Sequence, residues 1–321
     1  MASAIGELIG VTGRRYMFKQ LIQERPHVGR VWLATSGNSN FVLKDIPTSI
    51  FSNFNEHIRP KLCDHPHIRL PSDTIKDQHI FVYKYLTDDF LSLVRKKTSL
   101  RARKQILKAS LRGIAELHDR DIVHLDIKPD NILINCRNDD TGTLVEQVQF
   151  SDLENAAYLP KGRCIKGMLA GNENWRSPEG HFKGELNKPS DMFSFGAVCI
   201  YAILGRVIFG VDDDFRKHEA QGAFPALICL QRQISHFGDR DGLNGLMRHV
   251  GDEEVNCVIL GMLWDDRAAE YHSYRPFSEW LDAGDDNFKD LAQRMMNLDP
   301  TRRITAHQAL QHPWFAGLED I

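Results

Sequence analysis

The sequence predicts an α+β fold, strands first and helices after, and three observations carry that reading. Between Tyr16 and Ile46 the chain alternates in the manner of strands. Val31-Trp32-Leu33-Ala34 and Phe41-Val42-Leu43 are β-prone, and Ser36-Gly37-Asn38-Ser39-Asn40 is a turn cluster between them. From Ser99 to His118 the apolar residues Ile106, Leu107, Leu111, Ile114, Ala115 and Leu117 fall on one helical face. Met192 to Leu204 is an apolar run of about thirteen residues, short of the roughly twenty that a bilayer span needs, and reads as a buried helix.

Bulk composition narrows the function. The 321 residues are 42% hydrophobic and 26% charged, ordinary for a globular chain. Lys plus Arg is 40 against 43 for Asp plus Glu, a net charge of −3, which gives no electrostatic reason to expect nucleic acid or an acidic membrane as partner. The cysteines, 6 in all, never form a CxxC pair and read as reduced thiols, not as a disulfide framework. No HExxH-like metal spacing occurs, and Met1 to Gly10 lacks the basic flank and apolar stretch of a signal peptide. The expected location is intracellular, cytoplasmic or nuclear.

The chemistry is concentrated in His124-Leu125-Asp126-Ile127-Lys128-Pro129-Asp130-Asn131, followed by the apolar run Ile132-Leu133-Ile134. A carboxylate, an ammonium and a carboxamide stand at 126, 128 and 131. Phosphoryl transfer from a nucleotide needs this set: Asp126 to accept the proton of the attacking hydroxyl, Lys128 to neutralise the moving phosphoryl group, and the Asn131 oxygen to help hold Mg²⁺. The stretch resembles the catalytic loop of the eukaryotic protein kinases, H-R-D-x-K-P-x-N, with Leu125 at the arginine position. The resemblance implies a bilobal protein-kinase-like fold. A small antiparallel-sheet lobe with one main helix would span 16–86 and a larger, mostly helical lobe 87–315, with 1–15 and 316–321 as terminal extensions.

The resemblance assigns the remaining elements in order. The phosphate-covering loop falls at Gln23 to Val31. Glu24, Pro26 and Gly29 stand where the family has three glycines, so only Gly29 survives, with Val31 closing the loop. Glycine lets backbone approach phosphates without a Cβ in the way, whereas Pro26 removes an amide donor and Glu24 would repel a triphosphate. Phe41-Val42-Leu43-Lys44 resembles the strand bearing the ATP-positioning lysine. Glu56, the only glutamate between Lys44 and Leu100, is its expected ion-pair partner, in a helix ending at Asp64-His65-Pro66-His67-Ile68. Ile80 to Leu86 would be the strand behind the adenine pocket, with Tyr83 at its back and the backbone of Lys84 and Leu86 bonding the adenine edge.

Beyond the catalytic loop, Asn135 to Thr143 reads as a polar insertion. Asp152-Leu153-Glu154 stands where the family has Asp-Phe-Gly, so Asp152 and Asn131 are the expected metal ligands. Glutamate enters left-handed backbone less readily than glycine, so flipping of this turn is expected to be restricted. From Leu153 to Arg176 there is no serine or threonine, and Tyr158 is the only hydroxyl. With Leu125 replacing the phosphate-binding arginine, loop phosphorylation on Ser/Thr is not the expected switch. Asn172 stands at the family's threonine that touches the catalytic Asp and Lys. Ser177-Pro178-Glu179 matches Ala-Pro-Glu, Ser190 is the expected cap of the central helix with Asp191 bonding catalytic-loop backbone, and Arg303 is the expected partner of Glu179. The function implied is a serine/threonine protein kinase using ATP with Mg²⁺ or Mn²⁺ on a protein substrate. The alternative is a pseudokinase that binds a nucleotide or a protein as a scaffold.

Overall fold

The computed structural model describes residues 6–26, 29–62, 64–139 and 142–321. The N-terminal part is one antiparallel sheet built from β1 (Glu7–Ile9), β2 (Arg15–Arg25), β3 (Gly29–Ser36), β4 (Ser39–Asp45), β5 (Asp73–Ile75) and β6 (Ile80–Lys84), in the order β1-β2-β3-β4-β6-β5. The turn cluster at 36–40 closes the β3–β4 hairpin, with Ser36 opposite Ser39. Alternation along β4 separates two jobs. Phe41 and Leu43 are buried with Tyr16, Ala34 and Val82 on one face, while Val42 and Lys44 face the cleft between the lobes. β1 lies outside the boundary read at Tyr16 and pairs with β2.

The helix between β4 and β5 departs from expectation. It is a short α1 (Thr48–Asn53) that widens into a π-turn over Phe54–Ile58 and a 3₁₀ turn over Arg59–Lys61, where Pro60 prevents continuation. Phe51, Phe54 and Ile58 point inward and are buried; Glu56, lying between the last two, is exposed.

Next come β7 (Asp88–Asp89), α2 (Phe90–Arg95) and the 20-residue α3 (Leu100–Asp119), which Ser99 caps by accepting from the Ala102 amide. β8 (Ile122–Val123) leads into the catalytic loop. β9 (Ile132–Asp139) and β10 (Gly142–Phe150) then pair, so the described part of the polar insertion at 135–143 lies on two strands; 140–141 lie outside the described residues. The register pairs Ile132 with Phe150, and the Ser151 amide donates to the Asn131 carbonyl at 2.9 Å. That ladder sets Asn131 beside the turn containing Asp152.

β11 (Ala157–Tyr158) pairs with β8; then come α4 (Pro178–His181) and α5 (Lys188–Leu204), whose apolar face fills the core of the large lobe. Its cap is Asn187, not Ser190. Pro189 is tolerated in a first helical turn, so the helix starts three residues earlier than expected, and Ser190 becomes the reciprocal partner of a capping box. Four more helices, α6 (Asp213–Ala220), α7 (Pro225–Phe237), α8 (Arg240–Val250) and α9 (Glu254–Asp266), follow α5, and α10 (Asp286–Met295) and α11 (Ala306–Leu310) close the lobe. A third apolar cluster joins the lobes, including Phe54, Ile58, Phe81 and Tyr83 from the sheet side and Leu117, Ile122 and Leu153 from the helical side.

Candidate active site

The catalytic loop is fixed from beneath. Asp191, near the start of α5, accepts from the His124 and Leu125 amides at 2.8 Å each and contacts His118 Nε2 at 3.1 Å. His124 Nε2 lies 2.8 Å from the Ser151 carbonyl, which ties the loop to the Asp152 turn. With its backbone thus held, Leu125 adopts a positive φ of 64°.

These anchors present Asp126 at the edge of the cleft. Its Oδ2 is 3.0 Å from Lys128 Nζ and accepts from Asn131 Nδ2 at 3.3 Å. Its Oδ1 accepts from the Asn172 backbone amide at 3.0 Å. The Asn172 side chain turns elsewhere, accepting from the Asn174 amide, so the contact with Asp126 is made by main chain and does not depend on a threonine hydroxyl. Gly171 permits this approach. It has φ 71°, and a Cβ there would lie 2.6 Å from the Leu125 carbonyl oxygen.

The lysine clamp is rewired. Lys44 Nζ donates to Asp152 Oδ1 at 2.8 Å and to Glu154 Oε2 at 3.1 Å, and Glu154 Oε1 accepts from the Tyr83 hydroxyl at 2.5 Å. The expected Lys44–Glu56 pair is not formed: among the described residues the ion-pair partners of Lys44 are Asp152 and Glu154. The π-turn accounts for half of this by turning Glu56 outward. The Asp152 turn accounts for the rest: Asp152 itself takes the left-handed conformation, and Leu153–Asn155 follow as a 3₁₀ turn that aims Glu154, 2% exposed, into the cleft wall. Position 154 therefore needs no glycine. Leu153 fills the apolar slot of the inter-lobe cluster.

Electrostatics agree with this geometry. Burial pulls the Lys44 pKa down, but Glu154 and Asp152 outweigh it and hold the ammonium above the ordinary lysine value. Burial opposes the Asp152 charge, and Lys44 with Lys128 nevertheless keeps its pKa below the ordinary carboxylate value. Burial and the Glu154 carboxylate push the Tyr83 phenol well up, so it remains a donor.

A cavity of about 460 Å³ opens above these groups. Val31, Val42 and Leu133 supply apolar wall, Lys44, Asp126, Lys128, Asn131 and Asp152 the charged floor. Gly29 lies at its mouth with φ 122°, and a Cβ there would sit 2.1 Å from the Asp45 carbonyl oxygen, so this glycine is required by packing. Glu24 is an exposed strand residue opposite Arg30, and Pro26 follows the strand in a turn; residues 27–28 lie outside the described residues. Arg25 and Gln23 from the same strand line the cavity and place a cation where the family relies on glycine amides. Behind, the Lys84 carbonyl accepts from Arg69 Nη2 at 2.9 Å, and Leu86 follows, buried. Glu154, the Tyr83 hydroxyl and Arg69 were not singled out by motif as polar groups of the site. A charged residue two positions after a glycine-less Asp-Leu was the one available signal for Glu154.

The donor set suits a magnesium nucleotide. The Asn131 amide nitrogen is committed to Asp126, donating to its backbone carbonyl at 2.8 Å, which leaves the amide oxygen as a metal donor. Asp152 bonds Lys44 through Oδ1, leaving Oδ2. Two hard oxygens completed by phosphates and water match Mg²⁺, which rarely takes an all-protein cage.

Beneath the site, Glu179 and Arg303 form a fully buried bidentate pair at 2.7 Å on both arms, with Ser190 Oγ donating to Glu179 at 2.8 Å. The segment between Asp152 and Glu179 is held by its own contacts. Arg176 donates to the Ala170 and Gly171 carbonyls at 2.8 and 2.7 Å, and Ile165 pairs with Leu186.

Comparison with known proteins agrees with this architecture. The chain is 25% identical over 280 residues to the liver/testis phosphorylase b kinase gamma catalytic chain of Bos taurus, covering 82% of this chain and 53% of that protein. It is 28% identical over 284 residues to the serine/threonine-protein kinase ssn3 of Neosartorya fischeri, covering 78% and 63%. It is 24% identical over 209 residues to the calcium/calmodulin-dependent protein kinase cmkB of Emericella nidulans, covering 65% and 39%. The chain thus spans 39% to 63% of the length of these relatives. A chain of the yeast RNA Pol II CTD kinase CTDK-1 complex superposes with a TM-score of 0.70 at 18% identity, covering 94% of this chain and 97% of that one, a likeness of fold. The family model described as "Protein kinase domain" matches residues 28–315, and the chain belongs to that family.

Proposed function

We propose that this chain is a serine/threonine protein kinase whose domain spans 16–315, with its small lobe at 16–86, and which works inside the cell. The observation that carries the proposal is the setting of Asp126, a carboxylate held by Lys128, Asn131 and the Asn172 amide at the rim of a nucleotide-sized cavity. A nucleoside triphosphate with Mg²⁺ or Mn²⁺, ATP in the family in general, would supply the transferable phosphoryl group. Asp126 would accept the proton of a protein Ser or Thr hydroxyl, and Lys128, paired to it at 3.0 Å, would stabilise charge on the transferred group. Asn131 and Asp152 would hold the metal through their free oxygens. Lys44, steadied by Glu154, would hold the α- and β-phosphates, with Arg25 adding a cation at the loop. Because Arg176 and the Ile165–Leu186 pairing order the segment before Glu179, no phosphate is needed to do so.

A pseudokinase is the second proposal, favoured by Glu24 and Pro26 in the loop and by the engagement of Lys44 with two carboxylates. The test is transfer of labelled γ-phosphate from ATP and from GTP, with Mg²⁺ or Mn²⁺, to generic protein substrates and to the chain itself. Transfer that Asp126→Asn removes supports the kinase. Nucleotide binding with no transfer to any substrate supports the scaffold.

A further inference from the structure

The rear of the cavity contains a group that the phosphoryl chemistry does not use. Arg69 reaches in from the strand-like segment after Ile68, its guanidinium 4.7 Å from the centroid of the Tyr83 ring, and Nη2 donates to the Lys84 carbonyl at 2.9 Å. Arg69 Nε is buried and has no hydrogen-bond partner among the described residues. Tyr83, whose ring lies beneath it, donates to Glu154, which accepts from Lys44, so a hydrogen-bonded chain runs from below the guanidinium to the charged floor of the cavity.

The Lys84 carbonyl is the acceptor that the nucleotide assignment gives to the 6-amino group of adenine. Here a cationic donor already occupies it. Adenine would bring its 6-amino donor to the same oxygen and so set it beside the guanidinium, donor against donor, with the two sharing that oxygen's lone pairs. A 6-oxo purine reverses the match: its O6 and N7 are both acceptors, and arginine is the side chain that most often reads that edge. The cavity keeps room for a base. Val31, Val42 and Leu133 still line it, and Arg69 stands in its rear wall without filling it.

We propose that Arg69 makes this site select a guanine or hypoxanthine nucleotide over an adenine nucleotide. The inference rests on the assignment of the cavity as the nucleotide cleft and deepens it by naming the base.

Calorimetric titration of the whole chain with GTP, ITP and ATP, each with Mg²⁺, tests this, with Arg69→Val and Arg69→Ala alongside and circular dichroism to show that the variants fold. GTP and ITP are expected to bind about tenfold or more tighter than ATP, and loss of Arg69 is expected to abolish or reverse that ratio. ATP binding as tightly as GTP to the unchanged chain overturns the proposal, as does a ratio that Arg69→Val leaves unaltered. Binding of no nucleotide by the unchanged chain together with ATP binding by Arg69→Val also overturns it, since Arg69 would then be a plug in a genuine nucleotide site. Binding of none by any form overturns the nucleotide assignment itself.

Discussion

The two walls of the cleft have been treated differently. On the large-lobe side Asp191 bonds catalytic-loop backbone and Glu179 pairs with Arg303, the contacts that the kinase resemblance implies, and Asp126 and Asn131 are held in place beside them. On the small-lobe side the glycine loop carries Glu24 and Pro26, the helix after β4 is six residues with a π-turn, and Lys44 has exchanged Glu56 for Glu154. The difference teaches where constraint resides. Asp191 binds two amides and a histidine at once, and Arg303 fills the buried space around Glu179, so no single change there leaves the rest satisfied. Lys44 needs a carboxylate within reach, and any wall of the cleft can provide one.

The comparison can be broken most forcefully at the residues proposed to hold the metal and accept the proton. Asp152→Asn is expected to reduce phosphoryl transfer about 10³-fold, with weaker metal-dependent nucleotide binding. Unchanged turnover would remove Asp152 from the site. Almost as large is the scaffold effect. Arg303→Met leaves Glu179 as a buried unpaired charge, and denaturant unfolding should show a loss of about 3–5 kcal/mol. A loss below about 1 kcal/mol would mean that the large-lobe anchors are as replaceable as the small-lobe clamp.

Acid sensitivity sharpens the contrast, because the two histidines pressed down to about 3 and about 4, His181 and His236, belong to the large lobe. Burial and then Arg176 press His181 from 6.5 down to about 3, and burial lowers His236 to about 4. Folded pKa values below the unfolded one mean that the unfolded chain binds more protons in between. The stability these rings contribute is therefore complete above about pH 6.5 and lost as pH falls toward 4 and 3, roughly 2 kcal/mol for His181 between pH 7 and 5. A thermal midpoint measured across that range should fall, and His181→Phe should flatten the slope. A slope that the variant leaves intact would assign the acid sensitivity elsewhere. The smallest effect expected is at the loop: glycine at positions 24 and 26 together should tighten nucleotide binding a few-fold, since each restores close backbone approach. No gain would mean that Arg25 already compensates.

The sequence made the large-lobe half legible because its chemistry is written in contiguous motifs. Asp126, Lys128 and Asn131 fall within six positions, and Ser177-Pro178-Glu179 declares itself. The strands, α3 and the buried α5 were equally readable from period and composition. Glu56 misled because spacing along a helix predicts a face only if the helix keeps its register, and a π-turn at Phe54–Ile58 does not. Glu154 was visible as an oddity at a glycine position but not as a partner, because its role depends on where the 3₁₀ turn after Asp152 points. Arg69 lay beyond inference for a similar reason: its meaning comes from the Lys84 carbonyl, 15 positions away in sequence and reached only through the β5–β6 sheet edge.

The central claim is that Glu154, not Glu56, holds the lysine. The direct measurement is the steady-state rate of γ-phosphate transfer by Glu154→Gln and Glu56→Gln against the unchanged chain and Lys44→Met. Glu154→Gln should lose a large part of what Lys44→Met loses, about 10²-fold or more, while Glu56→Gln keeps the full rate. A Glu56→Gln variant as impaired as Lys44→Met, with Glu154→Gln active, would contradict the account.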